Sequence, residues 1–88
     1  MATWARTLLI TAVPEEAAPW TEAHLRHLRE LQAEGRLRAA GSFTRGDGYL
    51  ELFEAADLLE AERITRESPL VERGLCAWTL REWKEAEL

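Results

Sequence analysis

The hydrophobic repeat along this chain switches between about two residues and about 3.6, in the order strand, helix, strand, strand, helix, strand. That order restricts the fold more than any other feature. From Trp4 to Val13, Leu, Ile, Val and Thr predominate, with Trp4, Leu8, Ile10 and Ala12 on one face and Ala5, Leu9 and Val13 on the other. A strand with this pattern is apolar on both sides. Pro14 to Pro19 reads as an acidic connection, after which Pro19 suits a first helical position and Glu22 a first turn. The helix is expected to run to about Glu34. At about 100° per residue, Trp20, Ala23, His24, Leu28 and Leu31 share its core side, while Arg26, Glu30 and Ala33 point away. Gly35 is placed to end it in a left-handed position that costs glycine little.

Arg36 to Phe43 reads as a second strand, and Arg45-Gly46-Asp47-Gly48 as the turn before an alternating Tyr49-Leu50-Glu51-Leu52-Phe53. Asp57 can cap a second helix with Leu58, Ala61, Ile64 and Thr65 on its apolar side, ending near Ser68 because Pro69 follows. A loop from Pro69 to Gly74 leads to a closing strand over Leu75 to Lys84. Two interleaved βαβ units of this kind give a ferredoxin-like βαββαβ sandwich, class α+β, with both helices on one face of a four-stranded antiparallel sheet.

The chain is a single domain spanning residues 1–88, and one this short buries a thin core. Strands apolar on both sides would set Tyr49, Phe53 or Trp83 on a bare sheet face, so a homodimer formed through that face is expected. Sixteen acidic against eleven basic side chains leave no basic stripe, which argues against nucleic acid as a partner. One cysteine, Cys76, permits no internal disulfide and reads as a packing residue in a reducing compartment. The apolar run from Leu8 to Val13 lacks the features of an export signal and is far too short to span a membrane. A cytoplasmic location is expected.

Gly46 and Gly48 flank Asp47 in a turn, with no phosphate-binding lysine or helix directly after, so no nucleotide site is indicated. His24 and His27 have a spacing that can serve one metal, yet no third ligand joins them, and neither metal nor organic cofactor is expected. Arg36 and Arg38 read as surface charges. His24 is the most informative polar residue, because it lies on the sheet-facing side of its helix and an imidazole is usable as acid or base near neutral pH.

Ala23-His24-Leu25 through Leu31, then Glu34-Gly35-Arg36-Leu37 and Ala40-Gly41, resembles the YciI-like (YCII-related) domain family. Asp57 to Ala61 resembles that family's capped second helix, and Ser68-Pro69-Leu70-Val71 with Gly74-Leu75 resembles the segment before its last strand. The resemblance implies a ferredoxin-like protomer that pairs into a dimeric α/β barrel, related to muconolactone isomerases, with some members linked to dehydrochlorination. It implies His24 as the acid or base of a cleft. Ser68 stands where the family carries an aspartate, and Ser42 where it carries a proline, which makes His24, Ser68 and Ser42 the ligand-facing candidates. Two readings follow. One is a ligand-binding or non-catalytic module, favoured by the missing aspartate, and the other is a cofactor-free lyase or isomerase acting on a small anionic or cyclic organic substrate.

Overall fold

The computed structural model describes residues 1–88 as β1 (Ala2–Ile10), α1 (Pro14–Ala33), β2 (Leu37–Ser42), β3 (Gly48–Ala55), α2 (Leu58–Arg66), α3 (Pro69–Glu72) and β4 (Cys76–Trp83). The strands form one antiparallel sheet in the order β2-β3-β1-β4. This is the expected ferredoxin-like arrangement, with α3 added where a loop was expected.

Register decides which side chains meet. Trp4 lies opposite Phe53, Arg6 opposite Glu51 and Leu8 opposite Tyr49, and directly paired residues share a face. Trp4 and Phe53 are buried with Leu31 of α1 and Ala61 and Ile64 of α2, so this face carries the helices. Tyr49 and Phe53 therefore point into the protomer rather than onto the bare face, contrary to the sequence reading. On the other face Leu9, Leu50 and Trp83 are 47%, 46% and 38% exposed, among Ala5, Thr7 and Thr79 and the charged Glu54 and Arg81.

Helix α1 begins at Pro14, not Pro19. Pro14 takes the first turn, where a missing N–H is harmless, Glu15 and Glu16 follow it, and the Val13 carbonyl accepts from the amides of Glu16 and Ala17. Pro19 is tolerated inside the helix because it falls on an exposed turn, where the freed Glu15 carbonyl can meet water. Gly35 ends α1 at φ +75°, as expected. Asp57 caps α2 by accepting from the Glu60 amide at 2.9 Å, but Leu58 is half exposed and contributes little to the core. Gly48 is required by close approach, since a Cβ there would lie 2.0 Å from the Leu8 carbonyl oxygen. That contact sets the β3 turn directly against β1, and so fixes the register that brings Arg6 to Glu51.

Candidate functional site

On the helix-facing side of the sheet, the apolar alternation of β1 and β3 is interrupted by two charges. Arg6 falls between Trp4 and Leu8, and Glu51 between Tyr49 and Phe53, and both are fully buried. An ion removed from water costs several kcal/mol unless partners replace its hydration, roughly. Here the partners come from each other and from the helices. Arg6 Nε donates to Glu51 Oε1 at 2.7 Å, His24 Nε2 meets Glu51 Oε2 at 2.6 Å, and His24 Nδ1 meets Ser68 Oγ at 2.8 Å. His24 and Ser68 are also fully buried.

The chemistry of these atoms assigns the protons. An ionised carboxylate only accepts, so His24 Nε2 carries hydrogen and donates to Glu51. Ser68 Oγ then donates to Nδ1 of a neutral ring or accepts from an imidazolium. A guanidinium only donates, so Arg6 Nη1, 3.2 Å from His27 Nε2, fixes His27 as the tautomer protonated at Nδ1. Burial, and next the Arg6 charge, push the His27 pKa from 6.5 down to about 4, which leaves that ring uncharged near neutrality. For Glu51, burial favours the protonated acid, but the His24 hydrogen bond and the Arg6 charge outweigh it and hold the carboxyl below its ordinary value. Arg6 Nη2 is buried and finds no protein acceptor.

Aromatic rings bound the network. Tyr49 lies 4.7 Å from His24, centroid to centroid and tilted, and burial, with the Glu51 charge, raises the Tyr49 phenol pKa. The Arg6 guanidinium sits 5.1 Å over Phe53. Trp20, on the first turns of α1, packs instead under Arg73 at 3.4 Å. A cleft of about 340 Å³ lies between α1 and the β1 and β3 ends, lined by Ile10, Ala17, Thr21 and Asp47 among others and by none of Arg6, His24, Glu51, Ser68 or Tyr49. Ala17 and Thr21 lie two turns and one turn before His24 on α1, so the cleft opens along the helix stripe that carries the histidine.

Of the three residues named from sequence, the structure joins His24 and Ser68 by a hydrogen bond. Ser42 is exposed on the edge strand beside Tyr49 and takes no part in the network. Cys76 is half-buried, and burial pushes its thiol pKa up, as fits a packing residue. The residues that sequence reading missed are Arg6 and Glu51. With them a carboxylate stands against His24, since Glu51 meets it from the sheet side while Ser68 meets it from the position just before α3.

The profile of the YCII-related domain matches residues 5–84, nearly the whole chain. This chain belongs to that family. A stretch of 61 residues is 41% identical to the uncharacterized protein YjpA of Bacillus subtilis (strain 168), covering 69% of this chain and 72% of that one. The family fold also superposes on the 5-chloro-2-hydroxyhydroquinone dehydrochlorinase TftG of Burkholderia phenoliruptrix, solved in complex with 2,5-dihydroxybenzoquinone. The TM-score is 0.82 over 96% of this chain and 95% of that one, at 18% identity, a likeness of fold. No helix of this YCII-related chain is long and apolar enough to cross a membrane.

Proposed function

We propose that this protein is a cofactor-independent acid–base catalyst, a lyase or isomerase that moves a proton on a small organic molecule. The observation that carries the reading is the chain Ser68–His24–Glu51, in which one imidazole is held between a hydroxyl and an ionised carboxylate. Glu51 orients the ring and stabilises it when it gains a proton. Because Nε2 is committed to Glu51, exchange takes place at Nδ1, through Ser68 Oγ. In the forward direction the hydroxyl takes a proton from a substrate carbon as it passes its own to Nδ1. The electron pair left on carbon forms a double bond, either expelling a leaving group with its bonding pair or taking a proton back at another carbon. The dehydrochlorinase of the same fold carries out an elimination on a ring substrate, which agrees with this reaction class.

The test is halide release from 5-chloro-2-hydroxyhydroquinone, together with solvent-deuterium uptake by a panel of enolisable ketones and lactones. Wild type is expected to exceed His24→Gln by about a hundredfold or more, with fold and oligomer retained. Equal rates for the two proteins would overturn the catalytic reading. A specific observation favours a second reading, that of a non-catalytic module whose buried network is structural: His24, Glu51 and Ser68 have no solvent exposure in the protomer. No turnover by wild type, with loss of fold in His24→Gln, would select it.

The same proposal includes a homodimer through the bare sheet face, supported by the exposure of Leu9, Leu50 and Trp83 there. Light scattering is expected to give about twice the 10.0 kDa protomer mass. Leu50→Glu, which sets a charge in the middle of that face, is expected to give the protomer mass instead. A wild-type protomer at micromolar concentration would remove the dimer from the proposal.

A further inference from the structure

The way Glu51 is divided between Arg6 and His24 gives a role to His27. In a guanidinium, Nε and Nη2 lie on one edge and together form a fork that fits both oxygens of a carboxylate. Here the fork is half open. Glu51 Oε1 meets Nε at 2.7 Å, Oε2 is turned to His24 Nε2 at 2.6 Å, and Nη2 is left without a protein acceptor. An arginine alone with this carboxylate would pivot on its Nε contact until Nη2 also reached Oε2. That oxygen would then serve two donors, and the bond that orients His24 would weaken. Two contacts oppose the pivot. Nη1, away from the fork edge, meets His27 Nε2 at 3.2 Å, and the guanidinium carbon lies 5.1 Å over Phe53. A ring face tolerates sliding, whereas a hydrogen bond is directional, so the His27 bond is the one that fixes the angle of the guanidinium.

We infer that His27 is a positioning residue: by holding Arg6 Nη1 it keeps the fork from closing on Glu51, and so reserves Glu51 Oε2 for His24. That role rests on the acid–base reading only for its consequence in rate, because the placing of the His24 ring is a matter of hydrogen bonds within the protein. His27 is buried and lines no part of the cleft beside α1. Its ring centroid is 5.8 Å from that of His24, and the rings are tilted at 36°. The bonded path from one imidazole to the other runs through Arg6 and Glu51.

His27→Leu and His27→Gln decide the matter. Both remove the imidazole, but the glutamine carbonyl can accept from Nη1 and leucine cannot. Nitrogen-15 spectra, taken at a pH where the rings are neutral, report which ring nitrogen carries hydrogen. Wild type is expected to show His24 protonated at Nε2 and His27 at Nδ1. In His27→Leu the ratio of the Nε2–H to the Nδ1–H form of His24 should fall by about tenfold or more, and in His27→Gln it should stay within about threefold of wild type. The kcat for solvent-deuterium uptake should follow the same pattern with KM kept within about twofold, since His27 touches no substrate. An unchanged His24 ratio in His27→Leu overturns the inference, as does an equal fall in both variants. If His27→Leu does not fold, hydrogen found on His27 Nε2 in wild type overturns it, and a His27→Gln protein that keeps the wild-type His24 ratio upholds it. Turnover lost in His24→Gln, with a His24 ratio indifferent to His27, sinks the inference and leaves the catalytic reading. A His24 ratio that answers to His27 in a protein without turnover does the reverse.

Discussion

Glu51→Ala is expected to cost about 3–5 kcal/mol, close to the whole stability of a chain this small. The carboxylate takes one hydrogen bond from Arg6 and one from His24, and all three side chains are fully buried. Removing it leaves a buried guanidinium and a buried imidazole N–H without the acceptor they share. The converse change should be mild. Arg6→Met with Glu51→Leu together removes both charges and fills the space with apolar volume, which in buried ion pairs is often neutral or stabilising, so that the cost left is that of the unmatched Nε2 atoms of His24 and His27. Urea titrations of wild type, Glu51→Ala and the double variant check this. A cost below about 1 kcal/mol for Glu51→Ala would mean that water reaches the pair, and the closed network described above would be wrong.

The contrast between these variants also shows what could be read without coordinates. The order of elements was legible because period-two and helical repeats alternate clearly, and Asp57, Gly35 and the turn at Gly46 mark boundaries through local chemistry that needs no partner. His24 was legible from its place on the apolar stripe of α1. Arg6 and Glu51 are hidden from that pattern because it rests on the apolar positions and not on the charged ones between them. Arg6 has the same parity as Trp4 and Leu8, and Glu51 the same parity as Tyr49 and Phe53. A charge at core parity on each of two strands was the available signal. What no local pattern contains is the pairing of β1 with β3, and that long-range register sets Arg6 opposite Glu51 and turns Tyr49 and Phe53 toward the helices. The start of α1 was misplaced for a simpler reason, as Pro14 and Pro19 both fit a first turn and only the Val13 carbonyl bonds distinguish them. His27, on a helix position three after His24, is buried as well, and Arg6 reaches across from the sheet to donate to it.

Acid should unfold this protein well above the range where carboxylates alone would act, and His27 is the reason. Its folded pKa is about 4 against an ordinary 6.5, so the unfolded chain binds a proton in a pH range where the folded protein does not. Stability therefore falls as pH drops from about 6.5 toward 4, by about 3 kcal/mol over the full interval, and this contribution does not change further below it. Glu51 acts in the same direction at lower pH. Its folded pKa is depressed, so the stability it contributes is complete above the ordinary value of 4.5 and is lost as pH falls through the folded one. The two groups give a profile in two parts, a first decline owed to His27 and a second owed to Glu51. His27→Gln separates them, because a glutamine carbonyl can accept from Arg6 Nη1 as the imidazole does but takes up no proton. Denaturant midpoints measured across the range should show the first decline flattened in His27→Gln and the second unchanged. An unaltered first decline would place the titrating group elsewhere, and with it would go the assignment of His27 as the uncharged acceptor that holds Arg6 in place.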